Sequence, residues 1–133
     1  MKKSNKEKII LVTGGSGLIG QSIIETLLNE KYLTINIDIS PSSSSCEYYK
    51  CDITNETEIE DTFNLIYQKY GRIDGLVNNA YPRKKEFAAD FFDVKEKNLV
   101  NQLHLQLASY YMCCQKVLPF IQKNNGGSIV NIS

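Results

Sequence analysis

The chain has 133 residues, 42% of them hydrophobic and 23% charged, the composition of an ordinary globular protein with room for one sizeable core. Fifteen basic and fifteen acidic side chains cancel, so no net field draws the molecule to nucleic acid or to a membrane surface. The basic opening is followed by an apolar run of only four residues, Ile9 to Val12. That is too short for a signal peptide or a membrane span, and a cytoplasmic location is expected.

The first predicted unit is Lys8 to Gly20, KIILVTGGSGLIG. Ile9 to Val12 reads as a buried strand. Thr13 then leads into Gly14, Gly17 and Gly20, spaced by three. Ile19, Ile23 and Leu27, with the parallel row Ile24 and Leu28, recur at helical spacing behind them. Strand, glycine turn and helix together place free N–H groups and the positive end of a helix beneath a pyrophosphate. In that reading Gly14 permits the turn, Gly17 lets the phosphates approach, and Gly20 lets the helix pack on the strand. A dinucleotide is the expected ligand.

Tyr32 to Ile39 alternates and is rich in β-branched residues, so it reads as the second strand. Asp38 closes it, 18 residues after Gly20. A carboxylate there can accept hydrogen bonds from ribose hydroxyls and repel a 2′-phosphate, which favours NAD over NADP. A serine-rich connection follows Ser40-Pro41. Glu47 to Cys51 reads as a short third strand. Asn55 and Glu58 have the spacing of a capping box, before a helix whose stripe is Ile59, Phe63, Ile66 and Tyr70 and whose end is Gly71. Ile73 to Val77 is the fourth strand, closed by Asn78-Asn79-Ala80.

Tyr81 to Asp93 combines Pro82, Arg83, Lys84 and Lys85 with Phe87, Phe91 and Phe92. Such a basic loop either meets an anionic ligand or is simply solvated. A long helix from about Lys95 to Lys123 is indicated by Leu103, Leu107, Tyr110, Cys114, Val117 and Ile121, with Pro119 ending or kinking its last turn. Asn125-Gly126-Gly127 turns into a last strand, Ser128 to Ile132. Cys46, Cys51, Cys113 and Cys114 contain no Cys-x-x-Cys pair and share the chain with one histidine, His104. Reduced thiols are therefore expected, with no metal site. Strands and helices alternate throughout, so residues 1–133 are expected to form one Rossmann-like α/β domain. Its doubly wound parallel sheet has helices on both faces and strand order 3-2-1-4-5.

In combination these landmarks resemble the short-chain dehydrogenase/reductase family. Thr13-Gly14-Gly15-Ser16-Gly17-Leu18-Ile19-Gly20 is similar to its cofactor turn, Asp38 to its NAD-selecting acid, and Asp52-Ile53 to its adenine-contacting pair. Asn78-Asn79-Ala80 is similar to the Asn-Asn-Ala-Gly signature after strand four, and Gly127 to Ser133 to the strand-five signature. The run Asn78 to Arg83 resembles a subgroup tied to flagellin modification and bacterial surface sugars. Tyr81 departs from the pattern, standing where the family has a glycine. The glycine spacing also resembles the extended branch of sugar-nucleotide epimerases and dehydratases.

The resemblance implies an oxidoreductase that moves a hydride between a nicotinamide and an alcohol or carbonyl carbon, on a small-molecule substrate such as a sugar. It implies cofactor contacts from Gly14, Ser16, Gly17, Leu18, Ile19, Gly20, Asp38, Asp52, Ile53, Asn79 and Ala80. It also places Gln106 where the family has a proton-relay asparagine. The family's catalytic serine and Tyr-x-x-x-Lys would lie past Ser133, so the chain is expected to be a cofactor-binding fragment, truncated after strand five and inactive alone. The alternative is a non-catalytic nucleotide-binding module. The resemblance further implies a homo-oligomer built through the 95–123 helix, while the balanced charge leaves no nucleic acid or membrane partner expected.

Overall fold

The computed structural model describes residues 7–85 and 90–133. The element order is β1 (Ile9–Thr13), α1 (Leu18–Asn29), β2 (Leu33–Asp38), β3 (Glu47–Lys50), α2 (Glu56–Tyr70), β4 (Gly75–Asn78), α3 (Glu96–Leu103), α4 (Ser109–Lys123) and β5 (Ser128–Asn131). The five strands form one sheet in the order β3-β2-β1-β4-β5, and every neighbouring pair is parallel. The expected topology is therefore present. Phe87 lies outside the described residues.

Side chains on each strand alternate between two faces. Leu11, Ile35, Ile37 and Leu76 face Phe63 and Ile66 of α2 and Cys113, Val117 and Ile121 of α4, all buried in one core. Tyr67 of α2 stacks on Phe120 of α4 at 4.7 Å between ring centroids, and Lys116 pairs with Glu56 and Glu60 across the same seam. The opposite face carries Val12 and Asn36, both fully buried, beneath α1, whose Ile24 is its one fully buried large side chain. Of the expected α1 stripe, Ile23, Leu27 and Leu28 are half-buried and Ile19 is exposed. Ile19 opens the helix over the cleft rather than over the sheet.

α2 begins as its capping spacing predicts, with one change. The Asn55 side chain accepts from the N–H groups of Thr57 and Glu58. Glu58 does not return the bond to Asn55 N–H as a capping box requires; its carboxylate takes Asp52 N–H at 2.8 Å, because Asn55 N–H already donates to the Asp52 carbonyl. Gly71 ends the helix in the left-handed conformation, φ 73°, which a glycine adopts without strain.

The long helix departs from expectation at its N-terminal half. Between α3 and α4 lies a π turn, His104–Ala108, which winds an extra residue into the helix and rotates everything before it relative to everything after. The buried row is accordingly Gln102, Ser109, Cys113, Val117 and Ile121, while Leu103 and Leu107 are 55% and 73% exposed. Pro119 lies inside α4 with no break before Lys123. At the lower end of the sheet the Asp74 carboxylate accepts Ile9 N–H at 2.8 Å and two bonds from Arg72. This ties the starts of β1 and β4 together. No helix among the described residues is long and apolar enough to cross a membrane.

Candidate functional site

The carboxyl ends of β1, β2 and β4 open into a cleft of about 1020 Å³, large for a small-molecule site and suited to an elongated ligand. Its floor is the glycine turn. Gly14 has φ +67°, and a Cβ on it would stand 2.6 Å from Ala80 Cα. A Cβ on Gly20 would meet the Gly14 carbonyl oxygen at 2.1 Å, so these two glycines hold β1, β4 and α1 in contact. Gly17 is different: its nearest neighbour to an added Cβ is the Gly14 carbonyl at 3.5 Å, an ordinary contact. Packing within the chain leaves that position free.

The start of α1 has no side-chain cap, and its first intrahelical bond runs from Gln21 N–H to the Gly17 carbonyl. Leu18, Ile19 and Gly20 precede it, and all three line the cleft. Leu18 and Ile19 are 90% and 60% exposed. Uncapped donors at the positive end of a helix are suited to an anionic group such as a pyrophosphate.

To one side of the turn, Asp38 accepts Ser16 N–H on Oδ2 at 3.0 Å and Ser40 N–H on Oδ1 at 3.1 Å. A carboxylate accepts about four hydrogen bonds, so both oxygens keep capacity for ligand hydroxyls. Beneath it the buried Asn36 donates to the hydroxyls of Ser16 and Ser42 at 3.0 and 3.3 Å. This fixes the turn to the serine loop. Asp52, Ile53 and Thr54 complete that wall, with Asp52 Oδ1 accepting both Thr54 N–H at 2.9 Å and Thr54 hydroxyl at 2.7 Å.

On the other side, Thr13 Oγ1 accepts the N–H groups of Asn79 and Ala80 at 3.1 and 3.2 Å. The Asn79 amide nitrogen donates to the Thr13 and Gly14 carbonyls, each at 3.1 Å. Asn79 and Ala80 line the cleft, but the Asn79 amide nitrogen is committed to holding the strand ends together. Beyond them Tyr81, Pro82, Arg83 and Lys84 continue the wall. Gln102 of α3, 3% exposed, donates to the Pro82 carbonyl at 2.7 Å and accepts Lys84 N–H at 3.4 Å. Thr13 was expected only as the residue leading into the glycine turn, and Asn36 and Gln102 were not among the expected site residues; a buried polar side chain inside an apolar pattern was the only signal for those two.

Gln106 lies in the π turn beside Leu105, which lines the cleft. Its Nε2 is buried with no hydrogen-bond partner among the described residues. His104 is exposed, and among the described residues no group of three or more His, Cys, Asp or Glu side chains comes together. All four thiols are free. Burial pushes Cys51 up to about 11 and Cys113 up to about 12, so both are inert packing groups at neutral pH.

Comparison with known proteins agrees with this fold. The profile of the family described as short chain dehydrogenase matches residues 8–133. Post-translational flagellin modification protein A of Campylobacter coli is 28% identical, over 96% of this chain and 56% of its own length. Sorbitol-6-phosphate 2-dehydrogenase of Klebsiella pneumoniae is 30% identical, over 96% and 52%. Among solved structures, ligand-free aldohexose dehydrogenase of Thermoplasma acidophilum superposes with a TM-score of 0.85 at 27% identity, covering 96% of this chain and 49% of that one. A short chain dehydrogenase of Leptospira borgpetersenii with bound NAD+ gives 0.79 at 26% identity, covering 95% and 51%. ElxO with NADP bound gives 0.82 at 26% identity, covering 96% and 55%. The chain spans about half the length of the curated relatives it matches.

Proposed function

The chain belongs to the short-chain dehydrogenase family, and from that premise we propose that it is the cofactor-binding part of an NAD-dependent oxidoreductase acting on an alcohol or carbonyl carbon, of a sugar or polyol. When bound, the nicotinamide ring accepts or supplies the hydride. The residues of this chain bind and orient the dinucleotide. Leu18, Ile19 and Gly20 offer N–H groups to the pyrophosphate, Asp38 takes the adenine ribose hydroxyls, Asp52 and Ile53 flank the adenine, and Ala80 backs the glycine turn. Gln106 supplies an unpartnered buried N–H on the substrate side, suited to holding a water or substrate oxygen. The names of the sorbitol-6-phosphate and aldohexose enzymes support a sugar or polyol as substrate.

The observation that carries the choice of NAD is Asp38, held by Ser16 and Ser40 at the edge of the cleft. Among the described residues no cation lines the cleft at that wall, and a 2′-phosphate would meet the carboxylate directly. Structures with NAD+ and with NADP both resemble this chain, so the discriminating experiment is on Asp38 itself. Asp38→Asn should weaken NADH about tenfold, the worth of a charge-assisted hydrogen bond, and bring NADPH affinity up towards it. An unchanged preference would remove Asp38 from the cofactor site.

The exposed face of the long helix, Leu99, Val100, Leu103, Leu107 and Tyr111, supports a second copy of the chain as its partner. Contiguous apolar surface of this kind marks an interaction site.

A further inference from the structure

The cleft is polarised. Its acidic residues, Asp38 and Asp52, stand on the β2 and β3 side, and its basic residues, Arg83 and Lys84, on the β4 side. The strand order puts the glycine turn of β1 between them. A dinucleotide that spends its pyrophosphate on the turn and its ribose hydroxyls on Asp38 therefore leaves the basic wall to whatever reacts beside the nicotinamide.

Exposed lysines and arginines on a loop are ordinarily solvated, but this segment is built differently. Gln102 is buried, and it uses both ends of its amide on the backbone flanking Arg83, the Pro82 carbonyl and Lys84 N–H. Burying a primary amide is favourable only when its donors and acceptors are satisfied. Here the satisfaction comes from the loop, so helix α3 and the loop fix one another. Pro82 restricts the backbone further. Arg83 and Lys84 are thus held at the cleft wall, and neither makes an ion pair among the described residues. A guanidinium beside an ammonium at the wall of a cleft matches a phosphate or carboxylate.

We propose that Arg83 and Lys84 form an anion subsite for the substrate, which therefore carries a phosphate or carboxylate group besides its reacting oxygen; this rests on the dinucleotide reading above. Gln102 is the positioning residue. The test saturates the protein with NADH, which fills the glycine turn, and then titrates glycerol 3-phosphate, glycerate and uncharged glycerol by calorimetry. One of the two anions should bind saturably and glycerol should not, and which anion binds assigns the group. Arg83→Gln and Lys84→Gln should each weaken the anion by about tenfold, with NADH affinity held within twofold. Gln102→Leu should weaken it with both cations still present.

Equal binding of glycerol, or anion binding unchanged in the double Arg83→Gln/Lys84→Gln variant, would overturn the proposal. So would a parallel loss of NADH affinity, which would assign the two cations to the cofactor. Absence of NADH binding by the unsubstituted protein would contradict the dinucleotide reading and this proposal with it, whereas loss of the anion result alone contradicts only the subsite.

Discussion

Gly17 and Gly20 share a motif but not a role, and substitution separates them. An added Cβ at Gly20 runs into backbone, whereas at Gly17, which lines the cleft, it meets only an ordinary contact with the Gly14 carbonyl. Gly17→Val should therefore melt within a few degrees of the parent and lose NADH binding, while Gly20→Val should lose several kcal/mol of stability, roughly the cost of overpacking a close backbone contact. Thermal melts paired with NADH titrations check both; a Gly17→Val protein that still binds NADH would refute the phosphate-turn assignment. At this scale Gly14 and Gly20 were legible because the close approach of β1, β4 and α1 leaves no room for a Cβ at either position. Thr13, Asn36 and Gln102 were not, because a buried hydroxyl or amide is identified by partners distant in sequence, such as the pair Thr13 and Ala80.

Secondary elements were legible where one local rule governs them. The α2 helix follows its cap, stripe and terminal glycine. The long helix does not follow its stripe, because the π turn at His104–Ala108 shifts the register inside a continuous helix and periodicity assumes a constant rise. Phe63, fully buried between sheet and α4, should cost about 3–5 kcal/mol as Phe63→Ala. Leu107, on the exposed side of the shift, should cost under about 0.5 kcal/mol as Leu107→Ala when measured at a concentration where the chain is monomeric. Denaturant melts of the pair check whether the register is the one described.

Asp74 links two strands, and its titration links the fold to pH. Burial raises its pKa, but the bonds from Arg72 and from Ile9 N–H outweigh that and hold the carboxyl below its ordinary value. A carboxyl lowered in the folded state contributes stability above its unfolded pKa of about 3.9 and loses it as pH falls through the folded value. Stability should therefore fall as pH drops below about 4, and Asp74→Asn should cost about 2 kcal/mol at neutral pH while flattening that acid limb. Melts at pH 3 to 7 check it; an unaltered acid limb in the variant would assign it to other carboxylates.

For the whole molecule, the parallel sheet and its order followed from alternation of strands and helices, a property of the full chain that local slips of one or two residues do not disturb. Partnering follows from surface instead. The apolar face from Leu99 to Tyr111 should drive self-association, and Leu103→Glu with Leu107→Glu should shift the protein to monomer in sedimentation; a monomeric parent would contradict that reading. In the proposed reading the glycine turn and Asp38 form a dinucleotide site with a preference for NAD. A calorimetric titration of the protein with NADH and, in parallel, NADPH tests it most directly. Saturable one-to-one binding is expected, with NADH at least tenfold tighter, on the order of one lost or opposed charge contact. Tighter NADPH, or no saturation by either, would contradict it.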